Sequence, residues 1–309
     1  MTISSRDLEK RLAQLRREVL KRDAERHLSI LNSISELPID LRTPALAGFA
    51  ARDPIHTIIL FPPHIQRGWH YIPRQVLLFN SKDLLHLRDS IWPNQEPQLT
   101  HLAGRDILYM RVTLLLLYGY LEIVAAGSQS PIRLGMEFNT VAWFRMSPPL
   151  RQLLSGAASL GARPVVPEGS DISPSAQQAY SSLPLKFSNG VRIYGLLPGE
   201  RLQNLVFQPG TFKPWLLLLR RAVTSDTLVL LTDNYLAVIR EELNVGQGWI
   251  VSHLPRGCIA GIQVKPIGMR WCELTIQLDR GGQVTEFTLL LERSAAEAVR
   301  DLWRSPGRA

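Results

Sequence analysis

Two histidines occupy nearly the same phrase, THLAGRDILYMRV at residues 100–112 and SHLPRGCIAGIQV at residues 252–264. Histidine is the side chain whose charge changes near neutral pH, so a repeated pair, His101 and His253, first suggests acid–base chemistry. Such use needs an orienting or nucleophilic partner. Neither copy repeats an Asp, Cys or Ser at a triad-like or ligand-like spacing, so both histidines are read as structural, each tying down a strand bend by hydrogen bonds. His64, His70 and His86 are also close in sequence, yet no Cys or carboxylate joins them at a familiar ligand spacing, and no metal is expected. Only Cys258 and Cys272 are present, too few for a disulfide framework or a cysteine-built zinc site, which points to a reducing, cytoplasmic setting. The DRGGQ stretch at 279–283 lacks the Lys and Ser/Thr of a phosphate cradle, and the tryptophans are spread as core or rim residues. These residues imply no cofactor and no enzyme.

The chain that must position them has 309 residues, 45% hydrophobic and 20% charged, enough for two cores. Its formal charge of +8 permits attraction to phosphate-rich partners, but the basic residues are scattered among acids, and nucleic acid is not the expected partner. The N-terminus is charged where an export signal needs an apolar centre. The apolar runs from Leu114 and Trp215 are too short to span a bilayer and read as buried strands.

The histidine phrases belong to a longer repeat. Since 253 − 101 = 152, the same shift pairs Leu78 with Leu230, Leu84 with Leu236, Arg88 with Arg240, Leu102 with Leu254, Ile107 with Ile259 and Val112 with Val264, without a gap from Val76 to Val112. Within it, VLLFNSKDLLHLRDS lies over LVLLTDNYLAVIREE, two apolar runs around a polar break, as a β-hairpin requires. Downstream, WCELTIQLDRGGQVTEFTLLLE reads as two strands around Gly281 and Gly282, and SAAEAVRDLWRS as a helix with Ser294 as N-cap. The first half echoes this with MEFNTVAWFRM and then SPPLRQLLSG, where the prolines suit a helix start.

A strand hairpin, the phrase HLPRGCIAGIQV, paired strands and a final helix together resemble the pleckstrin-homology superfamily, particularly its bacterial PH and GRAM-like branches. The opening LLPGERLQNLVF at 196–207 resembles the Pro-Gly-Glu start of such domains. The resemblance implies an α+β fold of two PH-like barrels or sandwiches, each closed by a C-terminal helix, over residues 46–160 and 185–309. It also implies an anion or lipid site in the loop between the first two strands of each half. Arg67, His70 and Arg74 are the candidates in the first half, with Lys213, Arg220 and Arg221 in the second. The family's Arg-x-Arg pattern is not reproduced there, because Arg220 and Arg221 are adjacent.

Ahead of the repeat, Leu8, Leu12, Leu15 and Val19 form an apolar stripe of a long amphipathic helix from Ser5 to about Leu31, suited to packing on the protein body or to pairing with a partner helix, including oligomerisation. Residues 1–45 are this helix and a connection, and the Pro/Ser-rich stretch 161–184 reads as the interdomain linker. The expected function is a non-catalytic tandem adaptor or scaffold that binds a protein or peptide, located in the cytoplasm. The alternative is peripheral attachment to anionic membrane through the basic loops.

Overall fold

The structure, a computed structural model, describes residues 5–21, 28–48, 54–66, 70–80, 82–92, 95–155, 172–197, 199–216, 219–243 and 248–304. Its contacts divide the chain into two compact units, residues 1–105 with 141–161, and residues 106–140 with 162–309. Both are α+β, and every strand pairing within their sheets is antiparallel. No helix among the described residues is long and apolar enough to cross a membrane.

The first unit is built on an open five-stranded sheet. Helix α1 (Ser5–Lys21), strand β1 (Ser29–Leu31) and helix α2 (Ile39–Gly48) precede β2 (Thr57–Phe61), a short hairpin of β3 (His64–Gln66) and β4 (His70–Ile72), then β5 (Gln75–Phe79), β6 (Asp83–Arg88) and β7 (Gln98–Ala103). The sheet order is β1-β2-β5-β6-β7. Strand β5 is buried along its whole length, so its QVLLF run is apolar with little alternation. One face carries Ile58, Val76, Leu78, Leu85 and Leu87, and packs against Leu37, two residues before α2, and Leu41 and Ala45 within it. Helix α3 (Trp143–Ser155) adds the buried Met146, Leu150 and Leu153, the last lying against Gly104.

The second unit begins with strands from the first half of the sequence. Strands β8 (Ile107–Leu115), β9 (Tyr118–Ala125) and β10 (Ile132–Asn139) extend a seven-stranded sheet with the order β10-β9-β8-β16-β15-β14-β11. Its other members are β11 (Leu202–Gln208), β14 (Thr227–Thr232), β15 (Tyr235–Glu241) and β16 (Gly248–Pro255), while β12 (Thr211–Leu216) and β13 (Leu219–Thr224) form a hairpin between β11 and β14. A three-stranded sheet of β17 (Ile259–Ile267), β18 (Trp271–Arg280) and β19 (Gln283–Glu292) lies with helix α6 (Arg293–Arg304) over one continuous core, including Val229, Leu236, Val238 and Leu254 from the larger sheet and Leu274, Ile276, Phe287, Ala296 and Val299 from the lid. Each of the Val, Leu, Ile and Phe side chains contributes ~1.5–3 kcal/mol on full burial. The opposite side of the sheet is touched by helices α4 (Pro174–Ser181) and α5 (Leu185–Gly190) and a π-helical turn at Val191–Gly195, through Phe187 against Phe207 and Trp249 and Gly195 against Leu230 and Ile239.

The sequence repeat is reproduced in strand register. Gln75 pairs with Arg88 and Thr227 with Arg240, and Asp83 pairs with Ala103 and Tyr235 with Pro255, each at the shift of 152. Both copies then make a 3-10 turn, Gly104–Asp106 and Arg256–Cys258, whose first N–H donates to Lys82 O and Asn234 O respectively. A bulge falls at the same place in each, between Ile107 and Tyr109 and between Ile259 and Gly261. Gly281 and Gly282, with φ of 62° and 81°, make the two-residue turn between β18 and β19 that their positions in the sequence imply.

Several expectations are corrected. Among the described residues neither half closes into a barrel, since β8 pairs with β16 instead of returning to its own half, and residues 106–140 group with the second unit. The N-terminal helix is described over Ser5–Lys21, residues 22–27 lie outside the described residues, and Leu31 lies not in a helix but in β1, paired with β2. The connection after it contains α2, and the stretch read as a linker contains α4, where Ser173 accepts from Ala176 N–H as N-cap and Pro174 takes the first helical position. Helices thus precede the strands of each repeat as well as following them. Helix α3 begins at Trp143, upstream of the prolines expected to start it. The apolar run from Leu114 turns at Leu116 and Leu117, both exposed, and the run from Trp215 is divided between β12 and β13.

Candidate functional site

The two repeats differ most at their fourth meander strand. In the second, β16 lies inside the sheet, paired with β15 on one side and β8 on the other, and Ser252, His253 and Leu254 are all buried. In the first, β7 is the last strand of its sheet. It pairs with β6 from Asp83↔Ala103 to Arg88↔Gln98, and among the described residues no strand lies along its other side. Gln98, Leu99 and His101 are exposed there, Leu99 by 42%. An edge of this kind presents backbone N–H and C=O groups to any extended chain that can align with it. Pro97, immediately before β7, has no N–H and limits how far such an alignment runs.

The repeated histidines therefore share a register but not an environment. His101 holds its Nε2 3.4 Å from Asp83 Oδ2 on the open strand, while His253 is buried with its ring edge-on to Tyr235, centroids 6.5 Å apart. His86 is separate from both. It is buried on β6, where its Nε2 lies 2.8 Å from Gln75 Oε1, and burial, assisted by the charge of Arg88, pushes its pKa down to about 4. His64 and His70 lie on the β3–β4 hairpin, with His64 Nδ1 3.3 Å from Pro62 O, so the three histidines are not brought together. No group of three His, Cys, Asp or Glu among the described residues has a metal-holding arrangement.

Of the candidates, His70 falls on the β3–β4 hairpin and Lys213, Arg220 and Arg221 on the β12–β13 hairpin, each between the first two strands of its meander. Arg67 lies outside the described residues. His70 is exposed on β4. Arg74 is engaged by Asp89, at 2.7 Å, and by Asp40, and it lines a pocket of about 190 Å³ with Leu15, Glu18, Val19, Pro63, Tyr71 and Asp89. With two carboxylates already on that guanidinium and Glu18 beside it, the pocket offers little net positive charge to an anion. Burial and Asp89 raise the pKa of Tyr71 there. In the second repeat, Lys213 is the cross-strand partner of Arg221, and Pro214 that of Arg220, so three basic positions gather along one hairpin.

The N-terminal stripe is divided. Leu15 is buried, Leu12 and Val19 are half-buried on the side where α1 meets β3 and β4, and Leu8 is 37% exposed.

One residue that carries the second repeat's resemblance has a structural use that reading by sequence missed. Glu200, buried, accepts from Thr232 Oγ1 at 2.6 Å, Asn234 Nδ2 at 2.7 Å and Asn234 N–H at 3.1 Å, fastening the β14–β15 turn. Gly199 before it takes φ 77°, which allows the approach. The first repeat fixes the equivalent turn from within, with Asn80 Oδ1 accepting from the N–H groups of Lys82 and Asp83. An acid two positions before a strand, with a Thr-Asp-Asn turn in the following hairpin, was the available signal.

Strand β8 is fixed to the second unit by a polar row of its own. Arg111 reaches Glu122 at 3.5 Å and Ser252 Oγ at 3.4 Å, and its guanidinium stacks over Tyr109 and Phe287. Arg133 adds a contact to Glu122 at 3.3 Å and donates to Tyr109 Oη at 3.1 Å. The chain matches no protein-family model and no curated protein.

Proposed function

We propose that this protein is a non-catalytic adaptor of two PH-like repeats that takes up an extended protein or peptide segment as an added strand along β7. The observation supporting this reading is that the register-equivalent strand, β16, already receives a strand at that position, β8, over six residue pairs from Gly248↔Leu115 to His253↔Met110. Backbone hydrogen bonds would hold the segment, and the exposed Leu99 would select an apolar residue opposite it. No bond is made or broken in this mechanism. The test is selection of random displayed peptides on the full chain, followed by amide hydrogen exchange. Selected peptides are expected to protect Gln98–Ala103, and binders that leave β7 unprotected would contradict the reading.

A second reading, attachment to anionic membrane, rests on the basic positions Lys213, Arg220 and Arg221 gathered on β12 and β13. Sedimentation with phosphatidylserine vesicles at low and moderate salt separates the two, since screening abolishes charge-driven attachment and leaves strand addition intact.

A further inference from the structure

Resting on that reading, we infer that the segment accepted by β7 is strand β17 of a second copy of this chain. The repeat itself supplies the donor. Strand β17 is the counterpart of β8 at the shift of 152, it pairs with β18 on one side, and among the described residues no strand lies along its other side. Its exposure follows from that. Ala260, Gln263 and Lys265 are exposed, whereas Leu108 and Thr113, their counterparts of Ala260 and Lys265 on β8, are buried and half-buried, and Arg111, counterpart of Gln263, is half-buried.

Moving the internal β16–β8 pairing onto β7 and β17 by the same shift places Gln98 opposite Lys265, Leu99 opposite Val264, Thr100 opposite Gln263 and His101 opposite Ile262. The side chains agree with this register. Inside the chain, one row across four strands runs Ile239, Val251, Val112, Leu121, all buried. The corresponding row between copies runs Leu87, Leu99, Val264, Leu274, again apolar throughout. The next row is polar at its centre in both cases, Ser252 with Arg111 inside the chain and Thr100 with Gln263 between copies. A slip of one residue would set Leu99 against a polar side chain, so the pattern favours one alignment. Pro97 and Pro266 meet at the end of the register, where neither offers an N–H, and they limit the ladder to four pairs.

Each copy carries one acceptor edge and one donor edge, and the two are different surfaces. The contact is therefore heterologous and can continue from copy to copy into a ring or an open filament.

The test uses two full-length variants, Thr100→Cys and Gln263→Cys, mixed under mild oxidation; the native Cys258 and Cys272 are buried. Facing residues of an antiparallel pair bring Cα atoms within disulfide range, so a mixed covalent dimer is expected, while a mixture of Gln98→Cys with Gln263→Cys, out of register, should give little. Sedimentation of the unmodified chain should show mass rising with concentration, and Leu99→Lys should return it toward the monomer. A constant monomer mass with no mixed dimer overturns the inference, as does self-association that Leu99→Lys leaves unchanged. If the chain stays monomeric but displayed peptides still protect β7, the self-association fails and the adaptor reading stands. If neither occurs, both fall.

Discussion

Strands β7 and β16 occupy the same position in two copies of one repeat, pair with their preceding strands in the same register, and end in the same 3-10 turn, yet among the described residues β7 has a strand on one side only and β16 has one on both. The difference does not lie in either strand's own pairing rules. It arises because β8 leaves its own half to lie along β16 and, with β9 and β10, brings the four strands of the second repeat to a seven-stranded sheet, while among the described residues β7 has no strand on its outer side. A duplicated sequence thus specifies equal local structure and unequal surroundings. The unequal part is where binding is expected.

The equivalence of the interiors is open to the harshest test. Leu102 and Leu254 are both fully buried, and Leu102→Ala and Leu254→Ala should each cost ~2–5 kcal/mol, read by denaturant unfolding. A small loss at one site only would break the comparison.

The two repeats also place different pairs at one interior position, His86 with Gln75 in the first and Val238 with Thr227 in the second. Because the folded-state pKa of His86, about 4, lies below its ordinary 6.5, the unfolded chain takes up a proton that the folded chain refuses. Its contribution is whole above pH 6.5 and is lost as pH falls toward 4, by up to about 3 kcal/mol. Introducing the second repeat's residues through Gln75→Thr with His86→Val should flatten the pH dependence of the urea midpoint across that window. An unchanged slope would place the titration elsewhere.

The turns differ in how they are fastened, and this sets a smaller effect. Glu200→Ala leaves Thr232 and Asn234 without their buried acceptor and should cost ~1–3 kcal/mol, against ~1 kcal/mol for Asn80→Ala, measured by thermal unfolding. Equal losses would show that Glu200 adds nothing beyond the local turn. The histidines sharpen the contrast further. His253→Ala should cost ~1–2 kcal/mol because it opens a void, and His101→Ala under about 0.5 kcal/mol because the side chain is half in solvent.

Much of this was legible in the sequence, and the limits have physical causes. The shift of 152 gave the strand register, since alternation and turn residues act locally and repeat with the sequence. The α2 helix was missed because Pro44 lies inside it and only Leu41 and Ala45 are buried, too few to mark a stripe. Helix α4 was hidden by its Ser, Gln and Ala composition, although its Ser-Pro start was a helix signal. The pairing of β8 with β16 could not be read at all, because which free edge a strand joins is decided by tertiary placement and not by its own pattern. For the same reason His101 and His253 looked alike, and Arg74 looked available when Asp40 and Asp89 already engage it.

Amide hydrogen exchange on the dilute, unmodified chain compares the two strands most directly. Every amide of β16 has a strand neighbour to donate to, so Ile250–Leu254 should be protected throughout, whereas every second amide of β7 between Gln98 and Ala103 faces outward and should exchange many-fold faster. Equal and strong protection along both strands in a monomer would mean that β7 is already covered, and the account of it as an open acceptor edge would be wrong.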